Sequence, residues 1–108
     1  MARTKRSYMK NNKLFLSIDD IGRIIIPNIF LSAKEKNCIN LKIYTKDRKI
    51  YMERTDKKIS KSYTDSRIVI PCAIRRLLNI NSGDYLEFKA FDDYFILEPV
   101  EEKEIEQE

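Results

Sequence analysis

Apolar residues recur along this chain in two patterns that are typical of β-strands, and each pattern occurs twice. The unbroken β-branched runs at 24–26 and 68–70 are typical of strands that are buried on both faces. Alternating apolar and polar residues at 39–52 and 86–97 predict two β-hairpins. The pattern therefore favours a mainly β protein.

Two short helices are predicted, one after each β-branched run, because each run is followed directly by a proline. Pro27 and Pro71 suit the first turn of a helix, where the missing N–H costs no hydrogen bond. The predicted helix at 72–79 has one apolar face, formed by Ile74, Leu77 and Leu78. The predicted helix at 28–36 is less regular, with an apolar stripe of Ile29, Phe30 and Ala33.

These elements form an internal repeat. Residues 23–27 recur as 67–71 at an offset of 44, and the hairpins recur at an offset of 45. Each copy, residues 14–54 or 59–100, has the predicted order β-β-α-β-β. A unit of about 45 residues is near the lower limit for folding alone, and its strands would expose unpaired edges. We therefore expect one mainly β domain with two short helices, in which both repeats build a pseudo-twofold β-barrel.

The composition argues against several classes of function. The 108 residues contain no His and two Cys, so neither a Ser–His or Cys–His catalytic pair nor a Cys/His zinc site can form. We expect no enzyme activity, no cofactor and no metal. Cys38 and Cys72 are expected to be buried, reduced thiols. No apolar segment reaches the ~18–20 residues of a membrane span, and the basic N-terminus lacks a secretory signal. These features favour a cytoplasmic protein.

The net charge of +4 conceals a strong gradient along the chain. Residues 1–63 contain 16 Lys and Arg against 6 acids, whereas residues 64–108 contain 5 against 11. The first 13 residues carry only basic charges, at Arg3, Lys5, Arg6, Lys10 and Lys13. We expect residues 1–13 to be a flexible basic arm, either simply solvated or in contact with a polyanion such as DNA. Residues 101–108 form an acidic tail.

Both copies carry motifs that resemble those of a known family. The segment 19–27 resembles the Asp-x-x-Gly-Arg-(Val/Ile)-x-Ile-Pro signature of the AbrB/MazE/SpoVT swapped-hairpin domains. The segment 66–80 resembles the rest of that pattern, with an Arg-Arg pair on the helix after the proline. The resemblance covers about residues 14–100.

The resemblance implies both a fold and a function. In this family two units interleave into a swapped-hairpin barrel, and many members are DNA-binding transcription regulators. The DNA-facing groups that the resemblance implies here are Arg23, Arg67, Arg75 and Arg76. Double-stranded DNA would then be the partner, with the basic arm adding Arg3, Lys5, Arg6 and Lys13.

Several of these residues also have simpler interpretations. Arg23 and Arg67 could brace their turns by pairing with Asp20 or Asp65, and Arg75 and Arg76 could form a solvated helix face. The first copy departs from the pattern because Phe30 and Leu31 stand in the place of the Arg-Arg pair. The second copy lacks the turn glycine and has Asp65-Ser66 instead. We therefore expect an asymmetric DNA site that one half dominates.

The aromatic residues and the acidic tail suggest further contacts. Phe15, Phe88 and Phe95 are expected in the core. Other rings, on the opposite strand faces, could cover the barrel or mediate self-association: Tyr44, Tyr51, Tyr85 and Phe91. The alternative function is an antitoxin or another protein-interaction module, which would bind a toxin or regulatory protein through residues 101–108.

Overall fold

The described residues of the chain fold into nine strands and one α-helix. A computed structural model describes residues 7–55, 61–64 and 66–100. Its elements in chain order are β1 (Ser7–Lys10), β2 (Lys13–Ser17), β3 (Arg23–Ile25), a 3-10 helix (Asn28–Phe30), β4 (Cys38–Lys46), β5 (Lys49–Arg54), β6 (Lys61–Thr64), β7 (Arg67–Val69), α1 (Cys72–Leu77), β8 (Tyr85–Ala90) and β9 (Tyr94–Pro99). The predicted mainly β class is confirmed. No helix within the described residues is long and apolar enough to cross a membrane.

The strands form two antiparallel sheets. The large sheet has seven strands in the order β1-β2-β8-β9-β5-β4-β6, and the small sheet consists of β3 and β7. The predicted closed barrel is not found, because β3 and β7 form ladders only with each other. Within the described residues, β1 and β6 are consequently the two edges of the large sheet.

The strands of the two copies interleave. The first strand of each copy pairs with the third strand of the other, β2 with β8 and β6 with β4. The second strands pair with each other as β3 and β7, and so do the fourth strands, β5 and β9. Ile24 lies opposite its own repeat equivalent Ile68, and Tyr51 lies opposite its equivalent Ile96. These two pairs therefore mark a pseudo-twofold axis through both sheets.

The core lies between the two sheets. Ile24 and Ile68 of the small sheet are fully buried against side chains of the large sheet, among them Leu41, Leu86, Ile50 and Leu97. Phe88 and Phe95 are also in this core, as predicted. Phe15 is buried but lies on the opposite face, where it stacks on Tyr8 with a centroid separation of 5.0 Å. Phe15 is therefore buried as predicted, although its neighbours Leu14 and Leu16 occupy the positions of β2 that face the space between the sheets.

The predicted first helix, residues 28–36, is wrong. The chain forms only the single 3-10 turn, and Leu31 then adopts an extended conformation. Arg54 accounts for this ending: its Nη2 donates to the Phe30 carbonyl at 2.9 Å, and its Nε pairs with Glu35 at 2.6 Å. Ser32 and Glu35 also bond reciprocally through their side chains and N–H groups. The segment is thereby held as a turn.

The predicted second helix is present as α1, but one residue of its expected apolar face is misplaced. Ile74 and Leu78 pack on the core, whereas Leu77 is 70% exposed. The helix ends at Leu77, and Leu78 already has a non-helical φ of −97° and ψ of 4°. A helix of this length buries only the residues nearest the sheets.

Part of the predicted flexible arm is a β-hairpin. Residues 7–10 pair with β2, and Asn11 and Asn12 form the connecting turn with φ of 53° and 64°. Two consecutive residues with positive φ are typical of a tight hairpin turn, and asparagine tolerates that conformation. Residues 7–13 of the expected arm therefore lie in this hairpin, while Arg3, Lys5 and Arg6 lie outside the described residues.

The two cysteines are also placed differently from the expectation. Cys38 and Cys72 are both free and exposed. Cys38 opens β4 on the side that faces away from the core, and Cys72 is the first residue of α1. Because both cysteines stand at the first position of their element, neither side chain reaches the core.

The buried pair on the pseudo-twofold axis, Ile24 and Ile68, leads to a prediction about stability. Ile68→Ala should lower the free energy of unfolding by about 2–5 kcal/mol, because it opens a cavity at the fully buried junction of the two sheets. Ile29→Ala removes the same atoms from a side chain that is 85% exposed, and should change that free energy by no more than about 0.5 kcal/mol. Urea unfolding measures both, and equal losses would contradict the placement of the core.

Candidate nucleic-acid interface

The outer face of the small sheet carries two arginines from different copies. Ile24 and Ile68 point into the core, so the alternate residues of β3 and β7 point outward. Arg23 lies opposite Val69, and Arg67 lies opposite Ile25. The two arginines are thus diagonal neighbours across the pseudo-twofold axis, a position in which side chains start about 7–8 Å apart.

The turn before β3 holds Arg23 in place. The Asp19 carboxylate accepts hydrogen bonds from the N–H groups of Ile21 and Arg23, at 2.9 and 2.8 Å, and from the Arg23 Nε at 2.8 Å. Burial raises the pKa of Asp19, but these hydrogen bonds and the Arg23 charge outweigh it and lower the pKa below its ordinary value. Arg23 therefore braces its turn, through Asp19 rather than through Asp20.

Asp20 is used differently. Its carboxylate accepts a hydrogen bond from the Ser82 hydroxyl at 2.6 Å, which links the first turn to the loop before β8. The two turn acids thus have separate structural tasks, because one orders the turn itself and the other ties it to the second copy.

Arg67 is the more available of the two diagonal arginines. Its side chain is exposed, and it makes no hydrogen bond or ion pair with any residue that the structure describes. Asp65, its expected bracing partner, lies outside the described residues. Arg23 and Arg67 line one cleft of about 360 Å³, together with Ser17, Ile18, Asp19, Asp20, Ile25, Ser82 and Gly83.

Arg75 does not point freely to solvent as expected. Its Nε donates to the Ile70 carbonyl at 2.9 Å, and its guanidinium lies against Gly22 of the first copy. A Cβ on Gly22 would be 2.5 Å from the Arg75 Cζ, so only glycine leaves this space open. The Gly22 carbonyl also accepts a hydrogen bond from the Ile70 N–H at 2.8 Å. The first turn and the second helix are therefore joined at this point.

Arg76, the next residue on α1, matches the expectation of a solvated side chain. Its side chain is exposed and makes no hydrogen bond or ion pair within the described part of the chain. Leu77, the residue after Arg76, is an exposed aliphatic side chain, and so is Ile21, the residue before the Gly22 that Arg75 contacts. The helix thus presents a cation beside apolar surface.

The two copies differ at the place where the first turn contacts the helix. Counting from Pro27 and Pro71, the positions of Arg75 and Arg76 are taken in the first copy by Leu31 and Ser32. The expected match to Phe30 and Leu31 was one residue out, since Phe30 packs on the core as Ile74 does. The place of Gly22 is taken by Ser66, which is buried, has a φ of 62° and donates from its hydroxyl to the Asn28 Oδ1 at 3.2 Å.

The remaining candidate cations lie elsewhere. Lys13 is exposed at the start of β2, in the edge hairpin of the large sheet, and does not line the arginine cleft. Arg3, Lys5 and Arg6 and the acidic tail 101–108 lie outside the described residues. The structure thus brings together Arg23 and Arg67 in one cleft, and Arg75 and Arg76 on the adjoining helix.

The outer face of the large sheet, on the other side of the core, is lined with aromatic rings. Tyr44, Tyr51, Tyr94 and Phe91 form a stacked row with centroid separations of 4.7–6.1 Å. The Tyr44 hydroxyl donates to Glu53, which raises the pKa of Tyr44 to about 12. Tyr85 packs edge-on against Tyr8. Within the described residues, no group of three or more acidic or cysteine side chains could hold a metal ion.

The comparisons with known proteins add no relative. No protein-family model, no curated protein and no solved structure matches this chain.

The contact between Gly22 and Arg75 could not be found from the spacing of residues, because it joins positions in different copies. The turn glycine was the available signal, since a glycine with positive φ often marks a close approach of another group. Gly22 has a φ of 91° and Gly83 one of 87°, but only Gly22 has atoms within 4 Å of its missing Cβ.

The two glycines, Gly22 and Gly83, provide a matched test of the contact with Arg75. Gly22→Ala and Gly83→Ala should each cost about 1–2 kcal/mol of unfolding free energy through left-handed strain. Gly22→Ala should cost about 1 kcal/mol more, because the added Cβ displaces the Arg75 guanidinium from its hydrogen bond. Urea unfolding measures the difference. A subsequent Arg75→Ala change should cost less in the Gly22→Ala background than in the original chain, and identical costs in both would contradict the contact.

Proposed function

We propose that this chain is a DNA-binding transcription regulator of the AbrB type that acts in the cytoplasm. Its two interleaved copies would correspond to the two units of a swapped-hairpin dimer. The pairing of each first strand with the third strand of the other copy supports the correspondence. The observation that carries the function is the arginine pair on the outer face of the small sheet, Arg23 and Arg67, next to an arginine-bearing helix.

The chemistry of this face suits a nucleic acid duplex. The planar guanidinium can bridge two acceptors on a guanine edge or a phosphate. The side chains of Arg67 and Arg76 are exposed and have no partner in the described residues, so contact with DNA breaks no ion pair among those residues. The exposed Leu77 and Val69 could contact thymine methyl groups.

The two acidic side chains that line the cleft are both engaged within the chain, so their repulsion of a phosphate is reduced. Asp19 is paired with Arg23 at 2.8 Å, and Asp20 accepts the Ser82 hydroxyl. We assign Arg67 to the phosphate backbone, since it lies on the sheet near the axis. We assign Arg76 to base recognition, since it projects from the helix.

The phosphate contact predicts a salt effect. Each neutralised phosphate adds about −0.9 to the slope of log K against log salt, so Arg67→Ala should weaken binding to all duplexes and flatten the slope by about that amount. Lys42→Ala removes an exposed cation from the opposite side of the core and should leave the slope unchanged. Fluorescence anisotropy of a labelled duplex at several salt concentrations measures both.

Two results would contradict the proposal. Absence of binding to any duplex at low salt would exclude the function. Equal slopes for Arg67→Ala and the original chain would remove Arg67 from the phosphate contacts.

A further inference from the structure

We infer that this protein recognises DNA sequence through only one corner of the pseudo-dimer, the corner where Gly22 meets Arg75. The DNA site that it binds therefore contains one specific element and not an inverted repeat. The inference rests on the proposed function and goes beyond it by naming the recognising half. We call this the glycine corner, formed by Gly22, Arg75 and Arg76. The serine corner is its repeat equivalent, formed by Ser66, Leu31 and Ser32.

The glycine corner presents an ordered cationic helix. The Arg75 guanidinium is held by the hydrogen bond from its Nε to the Ile70 carbonyl at 2.9 Å, and it lies against Gly22. This fixes α1 against the first turn, so Arg75 is a positioning residue. Arg76, the neighbouring exposed side chain, is consequently held on a helix whose place is determined, as base recognition requires.

The serine corner lacks each of these features. Ser66 carries a side chain where Gly22 has none, and its hydroxyl is engaged with Asn28 at 3.2 Å. Leu31 is buried and extended, so neither an arginine in the place of Arg75 nor an α-helix stands at this corner. The N–H and the hydroxyl oxygen of Ser32 are both hydrogen-bonded to Glu35.

A carboxylate, Glu35, also stands next to Ser32, where it is paired with Arg54. Burial raises the pKa of Glu35, but hydrogen bonds from Arg54 and Ser32 outweigh it and lower the pKa below its ordinary value. Glu35 therefore stays ionised at neutral pH, and its partner Arg54 is occupied at 2.6 Å. A phosphate or a guanine edge finds no free cation at the positions that Arg75 and Arg76 occupy in the other copy.

Selection from random DNA tests the inference directly. The full chain is used to select from a pool of duplexes whose randomised segment can hold two half-sites about one helical turn apart. We expect one enriched element without a symmetric counterpart. An inverted repeat with equally enriched halves would overturn the inference while leaving the proposed function intact. Failure to enrich any sequence, together with no binding to the unselected pool at low salt, would overturn both.

Variants then identify the recognising side chain. The readout is the ratio of affinities for the selected duplex and for the same duplex with its enriched element scrambled. Arg76→Ala should lower this ratio roughly ten- to hundredfold, as expected for the loss of one bidentate arginine–guanine contact. Lys34→Ala, a matched loss of an exposed cation from the first copy, should leave it unchanged.

Arg75 gives a distinct result if it acts by positioning. Arg75→Ala should lower the same ratio while leaving affinity for the scrambled duplex unchanged, whereas general unfolding would weaken both affinities alike. An unchanged ratio in both Arg75→Ala and Arg76→Ala would contradict the assignment of recognition to the glycine corner.

Discussion

The structure depends on one constraint: each copy of the repeat satisfies its strand edges only by pairing with the other copy. The first strand of each copy finds its neighbour in the third strand of the other, and the second and fourth strands pair across the axis. Each copy alone would leave these ladders unmade and its isoleucines exposed. Ile24 and Ile68, which are fully buried on the axis, are therefore core residues only because both copies are present.

The same constraint builds the candidate site. Because β3 and β7 come from different copies, Arg23 and Arg67 reach one cleft although 44 positions separate them in the chain. The close contact of Gly22 with Arg75 also joins the two copies. Fusion in one chain lets each corner change separately, so Ser66 and Leu31 can replace the glycine and the arginine in one corner while the strand pairing is retained.

The sequence predicted those parts of the fold in which local pattern and tertiary structure agree. The arginine, β-branched and proline runs predicted β3 and β7, and period-2 alternation predicted the hairpins β4–β5 and β8–β9 with Phe88 and Phe95 in the core. Other features depend on contacts between distant residues. Arg54 holds Phe30 and Glu35 in a turn where a helix was expected, and no spacing in the sequence indicates that pair.

The candidate site was predicted in the same uneven way. The four arginines were identified by type and motif, but their individual tasks depend on neighbours that only the fold supplies. Asp19 engages Arg23, the Ile70 carbonyl engages Arg75, and Arg67 and Arg76 are left exposed. Two residues of the same type can therefore differ in function because one has a backbone carbonyl within reach and the other does not.

A backbone-amide NMR titration with duplex DNA reports every part of the surface at once and therefore distinguishes the arginine face from the aromatic face. We expect the resonances that shift first to belong to β3, to β7 and to Arg76 on α1, while those of Tyr44 and Tyr51 on the opposite face stay in place. Shifts concentrated on the aromatic face, or none at low salt, would contradict this expectation.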